Sequence, residues 1–404
     1  MALASSKICI IAVNYAPEVT GCAPYTADLA EHLAKLGHQI QVITALPHYP
    51  QWEIPAEYKA KDRRIENLNG VEVFRCGILV PKKMSAIARV VFEASFLVTA
   101  WWRSRKVKAD LVLAVSPALA DIVVGARIAK RLNIPYGVLV QDLMTAATTQ
   151  SNISGGSKVA GLASAIESRY LKQATSVAAI TESFSDSIRA LGVDPKRVTV
   201  SANYSVKNIE RMSRKQAREQ LGWPVDTFVL AHTGNMGLKQ DLGNLIEAIK
   251  LVDSSNAKLL LVGDGSQRDE LVAQAVGASN VEFMGLVSDA DYSALLSASN
   301  VLLINEAPTI TDMSLPSKLT AYEASGQKIL GAVVPGGNTS KALAKMANAT
   351  QVPAGNPQLL ASEIAKLIIE NVEFTAELDA KVSSIDNNAM RENRGNWALS
   401  LLQS

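Results

Sequence analysis

The sequence predicts an α/β protein of two successive domains, each a parallel sheet wrapped by helices, and three observations carry that prediction. Short runs rich in Val, Ile and Leu alternate with longer amphipathic stretches along most of the chain, the signature of βαβ units. The alternation breaks once, near residue 205, at the polar and basic segment 206–222, and then restarts. The length of 404 residues also exceeds what one hydrophobic core ordinarily organises.

The first unit opens with a strand over 8–13, a polar loop over 14–25, a helix over 26–36 stopped by Gly37, and a strand over 39–44. A dinucleotide-binding domain would carry G-x-G-x-x-G directly after its first strand and an acid near the end of the second. Here the loop reads NYAPEVTGCAPYT, with Gly21 as its one glycine, and the second strand runs into Ala45-Leu46-Pro47. No dinucleotide cofactor is therefore expected. A polar loop at the carboxyl end of a parallel strand still lies where such sheets bind ligands, so Gly21 is a ligand contact or a turn residue. The loop His48-Tyr49-Pro50-Gln51-Trp52 follows, an aromatic platform that suits sugar rings or simply packs a loop.

After a strand over 71–77, residues 85–102 form a helix with apolar bulk on most faces, flanked by Lys82, Lys83, Arg89, Arg103, Arg105, Lys106 and Lys108. It reads either as an interior helix with solvated ends or as one lying against an anionic bilayer. Strand 109–115, helix 120–132 and strand 136–140 lead to Gln141-Asp142. An acid just past a buried parallel strand faces the ligand crevice or caps a turn, so Asp142 is a site candidate. Helix 160–173, strand 176–180, helix 182–191 and strand 198–201 complete the unit.

The second unit repeats the alternation with strands over 228–233, 258–262, 281–284, 301–305 and 328–334. Three loops follow its strands on one side of the sheet. They are the stretch Gly234-Asn235-Met236-Gly237-Leu238-Lys239-Gln240, the turn Gly263-Asp264-Gly265, and the helix start Pro316-Ser317-Lys318. Glycines let backbone approach a ligand, and Pro316 suits a first helical turn, where free N–H groups and the helix dipole attract phosphate. Lys239 and Lys318 together could hold the two charges of a diphosphate and stabilise it as a leaving group. The tail over 382–404 is a polar helix that fold analogy lets cross back to the first domain.

Composition narrows the classes. Hydrophobic content of 48% with 19% charged residues fits a soluble protein, and no stretch is apolar enough to span a bilayer. The start MALASSKICIIAV reads as a buried strand, not a secretory signal, and Cys9, Cys22 and Cys76 show no metal-ligand spacing, so reduced thiols in a cytoplasmic protein are expected. Net charge is +2, but residues 1–205 hold 23 Lys and Arg against 16 Asp and Glu. A basic first half favours an anionic surface or ligand. With net charge near zero and no basic recognition helix, a nucleic-acid partner is not expected.

As a set, these residues resemble the retaining glycosyltransferases of family 4, of the GT-B architecture, nearest to the colanic-acid and exopolysaccharide branch. The likeness runs through Asn14-Tyr15-Ala16-Pro17-Glu18-x-x-Gly21, Gly37-His38, Pro47-x-Tyr49-Pro50, Val140-Gln141-Asp142 and Asn203. It continues through Gly234-Asn235-x-Gly237-x-Lys239-Gln240, Gly263-Asp264-Gly265 and Pro316-Ser317-Lys318-Leu319. The resemblance implies two Rossmann-like domains facing each other across a central cleft. Residues 1–205 would bind the acceptor, with 385–404 crossing back, and residues 206–384 the nucleotide sugar. Lys239 would face the diphosphate, Ser317, Lys318 and Leu319 would lie near phosphates and ribose, and residues 283–287, including Phe283 and Met284, would pass the base. Gly21 would sit near the phosphate or the transferred sugar, Asp142 near the reacting centre, and Tyr15, His48 and Tyr49 on the acceptor side.

Many family members carry two glutamates eight residues apart, but those places here hold Met313 and Ala321, and Glu323 lies on another helical face. The expected activity is transfer with retention from a nucleotide-diphosphate sugar, without metal or cofactor. The expected acceptor is a saccharide, or a polyprenyl-linked one at the inner face of the plasma membrane. A sugar-nucleotide epimerase and a non-catalytic partner of another transferase remain the rival readings, the second motivated by the absent glutamates.

Overall fold

A computed structural model describes residues 5–19, 21–49, 51–59, 64–81, 85–143, 156–206, 209–310, 316–370 and 387–403. The chain divides into two compact units, one of Met1–Val206 with Asp386–Ser404 and the other of Lys207–Ile385.

In chain order the first unit runs β1 (Lys7–Ile11), α1 (Ala23–Lys35), β2 (Gln39–Ala45), α2 (Ala56–Lys59), β3 (Ile65–Leu68), β4 (Val71–Cys76) and α3 (Ala86–Ser104). It continues through β5 (Leu111–Ser116), α4 (Leu119–Leu132), β6 (Tyr136–Val140), α5 (Gly156–Leu171), β7 (Ser176–Ala179), α6 (Glu182–Ala190) and β8 (Val198–Val200). The strands order as β3-β4-β2-β1-β5-β6-β7-β8. Every pairing is parallel except β3 with β4. The central strands read as unbroken apolar runs because helices cover both faces. The β3–β4 hairpin turns at Asn69-Gly70, whose φ angles of 52° and 85° suit the tight turn that Asn-Gly favours. Strand order reverses direction between β1 and β5, which makes their carboxyl ends the place where such sheets bind ligands.

In the second unit the basic connector is not a loose linker. It contains α7 (Arg214–Leu221), opened by a Ser213–Gln216 capping box and closed by Gly222 at φ 68°. Its buried Arg218 donates to the carbonyl of Ala298 at 3.1 Å and to Asn300 Oδ1 at 2.7 Å, fastening the connector to the domain. Then come β9 (Phe228–Thr233), α8 (Gly243–Leu251), β10 (Ala257–Val262), α9 (Arg268–Gln274), β11 (Val281–Met284), α10 (Asp289–Ala298) and β12 (Val301–Asn305). They are followed by α11 (Ser317–Ser325), β13 (Lys328–Val333), α12 (Asn338–Leu343), β14 (Ala349–Pro353) and α13 (Pro357–Glu370). The parallel order β11-β10-β9-β12-β13-β14 is that of a doubly wound sheet, with its switch point between β9 and β12.

The terminal helix Asn387–Ser400 belongs to the first unit. Its fully buried Arg394 donates to the carbonyls of Ser201 and Ala202 and to Asn203 Oδ1, at 3.0, 2.9 and 2.9 Å. Arg391 pairs with Asp28, and Trp397 Nε1 donates to Ser176 Oγ at 3.0 Å. Gly137 on β6 leaves room for this helix: a Cβ there would lie 2.6 Å from Leu401.

Candidate active site

The loops of the second unit gather at its switch point. Asn305, the last residue of β12, donates to the carbonyls of Gln240 and Asp241 at 2.8 and 2.9 Å, and Ala307 N–H donates to the carbonyl of Lys239 at 3.0 Å. Lys239 is thereby fixed at the end of β12 with its side chain exposed. Gln240 Oε1 accepts from Gly237 N–H at 3.2 Å and closes the loop, while Asn235 is exposed.

Two of the loops pack backbone against backbone. A Cβ on Gly263, at φ 133°, would lie 2.0 Å from the carbonyl oxygen of Gly234, and one on Gly265 would lie 2.5 Å from that of Met236. Met236 N–H donates to the carbonyl of Asp264 and Gln267 N–H to that of Met236, both at 2.9 Å. These two glycines are thus required for one loop to approach the other. Gly263 N–H also bonds the carbonyl of Met284, tying in the end of β11, where Phe283 and Met284 are half-buried.

Lys318 comes in from α11. Its Cε would lie 3.6 Å from a Cβ on Gly234, so the side chain lies along the first loop. Its Nζ sits 2.7 Å from Nε2 of His232, a buried residue of β9, whose Nδ1 lies 3.2 Å from the carbonyl of Leu303. The residue keeps partial solvent exposure, yet burial of its ammonium, opposed by Glu306, pushes Lys318 down to about 7. Burial, then Lys318 itself, holds His232 well below the ordinary imidazole range. Sequence reading missed His232 and Glu306. The signal was present: each is a polar residue within or directly after an apolar buried strand.

Other expectations need correction here. Pro316 is the N-cap of α11, so the helix begins at Ser317, which is exposed. Leu319 is a core residue, and its N–H bonds the carbonyl of Pro316, so neither group is offered to a ribose. Ala321 is likewise buried, whereas Met313 lies outside the described residues. Glu323 is half-buried, and burial pushes its carboxyl up to about 7.

In the first unit, Glu18 organises the loops. Its Oε1 accepts from His48 and Tyr49 N–H at 2.8 and 2.9 Å, and its Oε2 accepts from Asn14 Nδ2 at 2.8 Å. The Gly21 loop and the aromatic loop are thus stapled together, with Tyr49 Cε1 3.7 Å from where a Gly21 Cβ would stand. Gly21 has φ 66°, a left-handed conformation that glycine adopts without strain. Asp142, half-buried past β6, accepts from Leu143 N–H at 2.9 Å and joins Asp121 and Glu18 in raising the Cys22 thiol to about 12, after burial. The structure therefore brings Gly21, Tyr49 and Asp142 to one end of the sheet. Tyr15 and His48 are 1% and 2% exposed. The Tyr15 ring packs in the core, and the His48 ring is held by Leu46, Trp52 and Phe92, so neither side chain is available to an acceptor. Pro50, Lys82 and Lys83 lie outside the described residues. Among the described residues no group of three His, Cys, Asp or Glu is placed to hold a metal.

Two doubly wound parallel-sheet units in tandem, with loops gathered at the switch points, define the GT-B class of glycosyltransferase folds. Residues 20–203 match the glycosyl transferase 4-like domain and residues 227–370 the glycosyl transferases group 1 family. WcaI of Escherichia coli (strain K12), named for glycosyl transfer in colanic acid biosynthesis, is 33% identical over 333 residues, covering 79% of this chain and 81% of WcaI. Among solved structures, sucrose-phosphate synthase from Thermosynechococcus elongatus superposes with a TM-score of 0.69 at 16% identity, covering 98% of this chain and 94% of that one. Anabaena HepE in complex with UDP-glucose gives 0.64 at 17% identity, covering 98% and 97%. The chain belongs to the family 4 glycosyltransferases, on the branch that includes WcaI.

Proposed function

We propose that this glycosyltransferase moves a sugar from a nucleoside-diphosphate sugar to a saccharide acceptor, free or polyprenyl-linked, with retention and without a metal. The observation that carries the proposal is the placing of two lysines at the switch point of one sheet, Lys239 at the end of β12 and Lys318 against the loop that follows β9. Cations there meet the charge that develops on a departing diphosphate, and fixed charges need no reorganisation during the reaction. The anomeric carbon–oxygen bond to phosphate breaks with its electron pair going to the diphosphate. The acceptor hydroxyl bonds the same face of the sugar and passes its proton to a diphosphate oxygen. Asp142, at the end of β6, orients the acceptor in the first unit. UDP-glucose bound to HepE supports a donor of this chemical class.

The test is a thermal-shift screen of the purified chain against UDP, GDP, ADP and CMP in EDTA. Saturation at 100 times the dissociation constant adds roughly 2.7 kcal/mol to the bound unit. One diphosphate should raise the melting temperature, and Lys239→Ala should abolish the rise. No shift with any nucleotide would overturn the donor assignment. Transfer in EDTA tests metal independence, and NMR of the product linkage tests retention.

A further inference from the structure

We infer that His232 is a positioning residue for the transfer reaction, holding the ammonium of Lys318 where it meets the diphosphate of the donor. The inference rests on the reading that Lys318 serves the diphosphate, and it concerns what puts the lysine there.

His232 is the penultimate residue of β9 and is fully buried. By alternation it faces the side of the sheet that Phe228 and Leu230 face. Helix α11 packs on the opposite side, where Leu319 and Tyr322 join Val229 and Ala231. Lys318 therefore reaches around the carboxyl end of β9 to bring its Nζ to Nε2 of the imidazole. The switch point makes room for this. The ladder between β9 and β12 ends at the pair Ala231–Leu302, and one residue further the imidazole bridges the strands in its place, with Nδ1 3.2 Å from the Leu303 carbonyl. The backbone of Asn235, in the loop that Lys318 follows, also meets the ring. One turn along α11, Tyr322 Oη accepts from the N–H of Thr233 at 2.8 Å. Two side chains four apart on the helix are thus seated on consecutive residues of β9. With one nitrogen tied to β12, the ring offers its other nitrogen to the lysine as a fixed point.

Chemistry explains why an imidazole suits this place. A carboxylate at the same 2.7 Å would hold the ammonium more strongly, but it would cancel much of the charge and compete with the phosphates. A neutral imidazole accepts one N–H and leaves the charge for the diphosphate. Glu306, the carboxylate that also acts on Lys318, is itself bonded by Thr339 Oγ1.

Calorimetric titration of the full chain with inorganic pyrophosphate, the part common to every nucleoside-diphosphate donor, tests the inference with two amides that split the functions of the imidazole. Asparagine places its amide nitrogen near the position of Nδ1, keeping the tie to Leu303, but does not reach Lys318. Glutamine places its carbonyl oxygen near the position of Nε2 and keeps the acceptor. H232N should bind pyrophosphate about tenfold or more weakly, and H232Q within about threefold of the parent. In the Lys318→Ala background H232N should add no further loss, because the histidine acts through the lysine. A role confined to the fold predicts the reverse order, with H232N retaining affinity and H232Q losing it together with melting temperature. That order, parental affinity in H232N, or an equal loss in both backgrounds would overturn the inference. Should the parent fail to bind pyrophosphate, or Lys318→Ala bind it like the parent, the donor reading falls and the inference with it. A weakened Lys318→Ala beside an unaffected H232N would instead remove the role of the histidine alone.

Discussion

Nζ of Lys318 lies 2.7 Å from Nε2 of His232, and the other nitrogen of that imidazole lies 3.2 Å from the carbonyl of Leu303. A carbonyl can only accept, so the tautomer protonated at Nδ1 satisfies Leu303 and leaves the Nε2 lone pair to the lysine. A buried neutral histidine therefore aims a half-buried lysine. Among the described residues, the one carboxylate that favours the charged form of Lys318 is Glu306, itself bonded by Thr339.

This arrangement predicts that diphosphate binding takes up a proton. Burial pushes Lys318 down to about 7, so above that pH the unliganded protein has lost the charge that a diphosphate restores. Affinity should be insensitive to this group below about pH 6 and fall about tenfold per pH unit above about pH 7. Calorimetry at pH 8 in two buffers of different ionisation enthalpy should show close to one proton taken up. Lys318→Arg, permanently charged, should remove the uptake. Equal heats in both buffers for the parent would show that Lys318 does not meet the phosphates.

Gly263 predicts a sharp contrast within one unit. A Cβ there would meet the Gly234 carbonyl oxygen at 2.0 Å, at a φ of 133° that side chains rarely adopt. Gly263→Ala should cost about 3 kcal/mol or more, read as a lowered denaturant midpoint of the second unit. Gly285, where a Cβ would meet nothing within 4 Å, should accept alanine within about 0.5 kcal/mol. Equal tolerance at both positions would mean that the two loops are not packed on each other.

The contrast also shows what could be read from the sequence. Strands buried on both faces announce themselves as apolar runs, and parallel register follows from their alternation with helices. Gly263 and Gly265 are also where one loop packs on another, and no local pattern records which backbone faces which. His48 looked like a ligand group by type and loop position, and Tyr15 through the family resemblance. Their burial is a tertiary fact, set by the core around Tyr15 and by the rings around His48. His232 was passed over because it sits in an apolar strand, although a lone polar residue there is itself a signal.

Arg394 predicts that the chain's end supports the first unit's site. Its guanidinium satisfies Ser201, Ala202 and Asn203, and Asn203 Nδ2 in turn donates at 2.8 Å to Gln141, the neighbour of Asp142. Arg394→Met should leave buried acceptors unpaired and cost about 3 kcal/mol or more. Arg394→Lys should recover only part, because an ammonium cannot reproduce the guanidinium fork. Thermal melting reads the stability, and the acceptor KM reads displacement of Asp142. A methionine variant with parental melting would show that the terminal helix is not anchored through this residue.

Glu323 carries the last prediction. Burial pushes its carboxyl up to about 7 from an ordinary 4.5. Between those values the folded chain holds a proton that the unfolded chain releases, so this group's contribution to stability is full at low pH and is lost as pH rises through 7. Above pH 7 the ionised carboxylate imposes its cost, on the order of 1 kcal/mol once screening at a half-exposed position is allowed for. Glu323→Gln should therefore melt like the parent at low pH and above it at pH 8. Turnover then separates two roles for the residue. A glutamate that contacts the donor in place of the absent pair would lose activity in the glutamine variant even as stability rises. A helix residue that merely tolerates burial would gain stability and keep its rate. A variant less stable than the parent at pH 8 would contradict both, because it would mean that the carboxylate is held by a cation.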